Sequence, residues 1–340
     1  MLALAVGWVV TSAWIVALQL TCQPDVSTDT PVAPAASSVA PSINFDALNQ
    51  APVPTLRYRV KYATEVKNIG STPSRVQQFE VPILSAVSVP YQTISNETFN
   101  HTPTEIKVQA DGTRVAYFSL GVIRPGQSVV VERDYQIEVW PFGSVSPAFG
   151  SRATQTELQR YLSPEPGVES NDPRFQTLAK EVVGDAATTE EKVDRIFQYV
   201  RSHMRYDLNS PARNKGALAG WQQGTGVCTE FAGLFAALAR ASGVPTRLVN
   251  GRVELWALST GAQPPQQRQG DTVRHQWAEF YHPQLGWYPI DPTLSEDWRK
   301  SLMQPHRFAE NHGDRSIKAQ FRGGQLTLRT TVSIEVEPLQ

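Results

Sequence analysis

The sequence predicts an α+β protein, an all-β sandwich followed by helices packed on an antiparallel sheet, and three observations predict it. Between residues 55 and 142, apolar and polar residues alternate in several short runs with no helical pattern among them. Between 172 and 245 the apolar positions recur at the helical period, and from 246 to 290 alternation returns. At 340 residues with 41% apolar content, the chain is long enough for two domains with separate cores. Its 31 basic and 32 acidic side chains leave a net charge of -1, which gives no electrostatic ground for nucleic acid as a partner; small-molecule, protein or peptide substrates stay open.

The first segment expected, over residues 1–22, is a transmembrane anchor or signal. MLALAVGWVVTSAWIVALQL carries no charged side chain, and about 20 mostly apolar residues is the length that crosses a bilayer as a helix. No basic n-region or small-x-small cleavage site accompanies it, which favours a retained anchor over a removed signal. Cys22 lacks the small-residue context of a lipidation site, and with Cys228 as the only other cysteine no disulfide framework is indicated. Residues 23–54, rich in Pro, Ala and Ser and without Lys or Arg, read as a disordered linker. Together these predict an extracytoplasmic protein, membrane-anchored in the cell envelope or secreted.

The sandwich is placed at 55–142. In TLRYRVKY, Leu56, Tyr58, Val60 and Tyr62 alternate with Arg57, Arg59 and Lys61, and the runs RVQQFEVPIL, TEIKVQ, RVAYFSL and SVVVERDYQIEVW repeat the pattern between turns such as Asp111-Gly112 and Pro125-Gly126. A Pro/Gly/Ser-rich linker at 143–171 precedes the second domain, placed at 172–340. Asp172-Pro173 starts one helix and Gly184 ends it; Thr188 with Glu191 forms a capping box for the next. The third helix is the stretch GVCTEFAGLFAALARASGVPTR, 226–247, with Phe231, Leu234, Phe235 and Leu238 on its inner face. Strands follow at 246–255, 274–281 and 286–290, and two or three more between 316 and 337 are assigned to the same domain. Residues 257–272, polar and rich in Gln and Pro, read as a mobile loop that gates access to the strand after it.

Cys228 is the one thiol of the folded region and opens a helix. Unsatisfied backbone N–H groups and the positive end of the dipole favour thiolate there, below the free value of roughly 8.5. In RHQWAEFYHPQLGWYPIDPT, 274–293, two strands flank a turn at 282–285, so antiparallel pairing sets His275 across from position 291 or 292. Asp291 stands there. A carboxylate beside an imidazole is how a catalytic base is oriented, and a helix start packed on the face of His275 completes a Cys-His-Asp line. His203, His282, His306 and His312 show no partner pattern and read as surface residues. No paired ligand spacing points to a metal, and no cofactor is implied.

The G-x-C helix ending in RASGVPTR, the His-x-Trp-x-Glu strand and the GWYPIDPT segment resemble the transglutaminase-like superfamily, papain-related in chemistry. The resemblance covers residues 172–300 and implies Cys228 as nucleophile, His275 as general base and then acid, and Asp291 as its orienting partner. It implies an oxyanion hole that includes the Cys228 backbone N–H. Trp221, Gln222 and Gln223 are candidates for its second donor, Tyr206 and Trp277 for the pocket. The activity implied is acyl transfer from peptide or glutamine carboxamide groups through a thioester, with hydrolysis by a protease or amidase favoured over cross-linking. The alternative is a non-catalytic scaffold or binding protein of the cell envelope.

Overall fold

The structure, a computed structural model, describes residues 14–18, 56–85, 89, 91–140, 153–258, 272–294, 297–299, 306–313 and 316–338. Cys22, the linker at 23–54, the start of the second linker and nearly all of the 257–272 loop lie outside the described residues. A strand β1 (Trp14–Leu18) comes first. The alternating runs form β2 (Leu56–Asn68), β3 (Ser74–Ile83), β4 (Gln92–Phe99), β5 (Glu105–Val108), β6 (Arg114–Phe118), β7 (Gly121–Ile123) and β8 (Ser128–Val139). Helices α1 (Gln155–Arg160), α2 (Pro173–Val183) and α3 (Thr189–His203) follow, then β9 (Arg205–Tyr206), α4 (Ala217–Gln223), β10 (Thr225–Gly226) and α5 (Cys228–Ala241). The chain ends in β11 (Thr246–Glu254), β12 (Thr272–His282), β13 (Gly286–Ile290), β14 (Arg307–Asn311), β15 (Ile317–Arg322) and β16 (Leu326–Pro338). The fold is α+β, as its alternating and helical segments require.

Two sheets form the sandwich, one ordered β1-β15-β3-β6-β5 with β7 on β3, the other β16-β2-β8-β4. Their inner faces share one core that includes Tyr58, Val60, Phe79, Val81, Phe118, Ile137, Ala319 and Phe321. Two expectations are corrected here. The strands after residue 316, assigned from sequence to the second domain, belong to the sandwich: β16 runs along β2 from Leu326 opposite Asn68 to Pro338 opposite Leu56, and β15 pairs with β3. The physical reason is length and edge: β2 and β16 are both 13 residues long, and an unpaired strand of that length leaves a row of open N–H and C=O groups that a matching strand satisfies. Within the apolar segment expected as a membrane helix, Trp14–Leu18 is instead a strand paired with β15. Pairing with β15 satisfies the backbone groups on one side of this strand, which forms the edge of its sheet. Among the described residues no helix is long and apolar enough to cross a membrane.

Local signals account for the helices of the second half. The Asp172 side chain accepts from the Arg174 N–H at 2.9 Å with Pro173 beside it, Gly184 ends α2 at φ 51°, and Thr188 and Glu191 cap α3 reciprocally. α5 is buried nearly all round, so it needs small residues where neighbours approach: a Cβ at Gly233 would stand 2.8 Å from the Gly167 carbonyl oxygen. It packs against α2, α3, α4 and β12. The sheet it packs on is ordered β13-β12-β11-β14, antiparallel throughout.

The sandwich braces that sheet at its β14 edge. The Gln92 side chain takes both backbone groups of Ala309, donating at 2.9 Å and accepting at 2.7 Å, as an additional strand would. Tyr58 donates to Glu254 at 2.6 Å, Tyr62 donates to Glu310, and Tyr91 donates to Glu279 at 2.9 Å. Glu279, fully buried, would be raised by burial, but Arg247 at 2.7 Å and His312 outweigh that and hold it at about 2.

Candidate active site

Cys228 is placed by what precedes it. α4 ends at Gly224 in the left-handed conformation, φ 63°, and the two-residue parallel bridge between β9 and β10 then carries the chain to α5. Its bonds run from Arg205 N–H to the Gly224 oxygen and from Asp207 N–H to the Gly226 oxygen, both at 2.9 Å. Glu230, fully buried in the first turn of α5, accepts from the Val227 N–H at 3.1 Å, from Thr229 at 3.0 Å and from the Lys215 N–H at 3.2 Å. This ties both flanks of the turn to the helix start. Cys228 is the first residue of α5 and is 3% exposed.

The glycine at 226 makes that arrangement possible, since a Cβ there would lie 2.5 Å from the Glu230 Cβ. Gly226→Ala is therefore expected to displace the turn ahead of Cys228. The loss should be about 1–3 kcal/mol, the range for overpacking, with alkylation of the thiol altered as well; denaturant titration and iodoacetamide kinetics check both.

His275 and Asp291 are brought together, with Nε2 to Oδ2 at 2.8 Å and both side chains buried. The pairing differs in register from the expectation. β12 and β13 align Ala278 with Ile290 and His282 with Gly286, so β13 extended by one residue would set Asp291 across from Trp277. The carboxylate reaches His275 on the diagonal, along the face the two residues share. The chain turns away at once, because Asp291 Oδ1 accepts from the Thr293 and Leu294 N–H groups at 3.0 and 3.2 Å.

Arg307, on β14, is the residue sequence reasoning missed. Its Nη1 donates to the same Asp291 Oδ2 at 2.6 Å, and its guanidinium lies 5.8 Å from the Trp277 ring. The Asp291 carboxylate thus accepts four hydrogen bonds. Burial would raise its pKa, but His275 and Arg307 outweigh burial and hold it well below the usual carboxylate range. Being ionised it only accepts, so the Nε2 of His275 carries the hydrogen, and in the neutral ring Nδ1 is left as the acceptor.

The pocket candidates divide. Tyr206 is beside the site: it pairs with Gly226, its ring lies 6.3 Å from Phe231, and it is 45% exposed. Trp221 packs on Phe175, and its indole N–H donates to the Tyr199 hydroxyl at 2.9 Å, which directs it into the helical layer. Gln222 and Gln223 are exposed on the last turn of α4. Trp277 is fully buried under His275, the rings 6.1 Å apart, with its N–H 3.3 Å from the Tyr91 hydroxyl. Both tryptophans are therefore supports whose donors have other partners.

The reading of four histidines as surface residues is corrected. His282 is 1% exposed and bonds Glu190 at 2.6 Å, His306 contacts Arg307 at 3.0 Å, and the His312 side chain is buried 3.6 Å from Glu279. His203 bonds the Trp221 oxygen at 2.7 Å. The partners of His203, His282 and His312 come from at least 18 residues away, so no local spacing announces them.

The fold and the site define an α+β protein in which a cysteine-led helix packs on an antiparallel sheet that carries a buried His-Asp pair. Residues 176–292 match the family model of the transglutaminase-like superfamily. Over 188 residues it is 27% identical to a protein-glutamine gamma-glutamyltransferase of Pseudomonas aeruginosa, which covers 54% of this chain and 27% of that protein, so the chain spans about a quarter of that relative's length. A crystal structure from Cytophaga hutchinsonii, provisionally described as a cysteine protease, shares the fold with a TM-score of 0.54 at 15% identity, over 84% of this chain and 91% of that one. The periplasmic domain of TgpA from Pseudomonas aeruginosa aligns at 18% identity and a TM-score of 0.35, over 77% of this chain and 94% of that one.

Proposed function

We propose that the protein is a thiol-dependent acyl-transfer enzyme acting on peptide or glutamine carboxamide groups, with Cys228, His275 and Asp291 as its catalytic residues. The observation that carries the reading is the buried His275–Asp291 bond, on a strand against which the Cys228 helix packs. With Nε2 held by Asp291, Nδ1 of His275 takes the thiol proton as Cys228 Sγ attacks the carbonyl carbon. The C–N bond then breaks, the departing amine or ammonia takes the proton from His275, and a thioester remains. Water added to the thioester with His275 as base releases the acid and restores the thiol. The N-terminus of α5 supports the oxyanion through the Cys228 N–H.

Water is the acceptor we favour. A second reading, a lysine amine as acceptor, is favoured by the similarity to the Pseudomonas transferase. We also infer a protein or peptide substrate in an extracytoplasmic compartment, from the uncharged apolar start and the Pro/Ala/Ser stretch after it.

Incubating the chain with casein and a labelled amine, with mass spectrometry of the products, tests the reading. Cleavage or deamidation supports hydrolysis and amine incorporation supports cross-linking, each lost in Cys228→Ala. No product of either kind, with Cys228 alkylated slowly and unaffected by His275→Ala, supports the scaffold instead.

A further inference from the structure

Five arginines are buried among the described residues, and four of them reach a carboxylate. Arg240 meets Glu165 at 2.5 Å, Arg247 meets Glu279 at 2.7 Å, Arg252 meets Glu310 at 3.1 Å and Arg307 meets Asp291 at 2.6 Å. Arg133, on the inner face of β8 and 4% exposed, is the exception. Its Nη2 donates to the Thr64 hydroxyl at 2.8 Å, its Nη1 to the Pro82 carbonyl oxygen at 3.3 Å, and its guanidinium stands 5.2 Å from the Tyr62 ring. All three partners are neutral, and Nε has no hydrogen-bond partner among the described residues. The acid on that side, Glu310, already accepts from Tyr62 and Arg252. Glu310 therefore acts on the Arg133 charge only from beyond ion-pair distance, and a buried cation so weakly compensated is costly for a fold to hold.

Beside Arg133 there is space. A cavity of about 50 Å³, where the sandwich meets the β14 edge of the second sheet, is lined by Arg133, Tyr62, Tyr135, Arg274, Glu310 and Thr330, among others. It has a second guanidinium in its wall, and Arg274 and Thr330 are half-buried, so the wall reaches towards solvent. The volume holds a few waters or one small ion.

We propose that this cavity binds a small oxyanion, a carboxylate or inorganic phosphate, as the counter-ion of Arg133, joining the sandwich to the edge strand that carries Glu310. The assignment does not depend on the catalytic reading. Occupancy would stabilise the folded chain by mass action, since the unfolded chain has no such cavity.

Thermal unfolding and calorimetry of the full chain test it, with sodium acetate and sodium phosphate titrated separately at ionic strength held constant with sodium chloride. The expected result is a saturable rise in Tm with one-to-one binding of at least one oxyanion; which of the two acts identifies the chemistry. Arg133→Met should abolish that binding, and in oxyanion-free buffer should be no less stable than the parent, because a weakly compensated charge has been removed. Tyr135→Phe, which keeps the volume and deletes a hydroxyl from the wall, should weaken binding by about tenfold, the scale of a hydrogen bond to a charged group; it serves as the reporter if Arg133→Met does not fold. No saturable response to either oxyanion, or an unchanged response in both variants, overturns the proposal.

Discussion

His275→Ala is expected to lower kcat/KM for a glutamine-containing peptide by about 10³-fold or more, the scale of losing a general base that also activates the nucleophile. Stability should change far less than activity. Asp291, the buried partner, would still accept from Arg307 at 2.6 Å and from two backbone N–H groups, so its charge does not become orphaned. That separates a chemical role from a structural one. In the parent, iodoacetamide should alkylate Cys228 rapidly below pH 7, and in the variant the rate should fall and follow an ordinary thiol titration near 8.5. Equal alkylation profiles in the two proteins would remove His275 from the mechanism.

Arg307→Met should instead destabilise the chain, by roughly 3–5 kcal/mol at pH 7, the cost of breaking one side of a buried ion pair. Activity should drop too, because the carboxylate that fixes the imidazole loses a partner. The pH dependence identifies the cause. The Asp291 carboxyl is held well below its unfolded value of about 3.9, so its contribution is complete above that value and is lost as pH falls towards the depressed folded one. Removing Arg307 raises the folded value and shrinks the contribution. The stability gap between parent and variant should therefore narrow between about pH 5 and pH 2, as read by denaturant titration at several pH values. A gap that stays constant over that range would mean that Arg307 acts through packing alone.

Arg307 also shows where sequence reasoning stops. Asp291 and His275 were legible because a hairpin with a short turn sets its own register, and the slip of two positions, which moves Asp291 from opposite His275 to opposite Trp277, left them on the same face. The starts of α2 and α3 were legible for a similar reason: a cap involves residues two or three apart, as with Asp172 and Arg174 or Thr188 and Glu191. Arg307 lies beyond a stretch with no motif, on a strand whose neighbour, β11, is more than fifty residues away, and nothing local to it names a carboxylate partner. Trp221 misled for the converse reason. Its closeness to Cys228 in the chain suggested an oxyanion donor, while the packing of α4 gives its N–H to Tyr199.

By itself the sequence determined that strands, then helices, then strands would form, that a lone cysteine would lead a buried helix, and that an imidazole and a carboxylate would share one hairpin face. These follow from periodicity, caps and turns, whose energies depend on neighbours a few residues apart. Only the tertiary structure decided that β15 and β16 return to the sandwich, that Gln92 and Tyr91 brace the second sheet, that Arg307 joins the His-Asp pair, and that Arg133 stands beside a cavity with neutral hydrogen-bond partners alone. Alternation marks a strand without marking its partner: strand pairing and charge pairing are settled by which surfaces meet when the chain closes on itself, across separations such as that between Asn68 and Leu326.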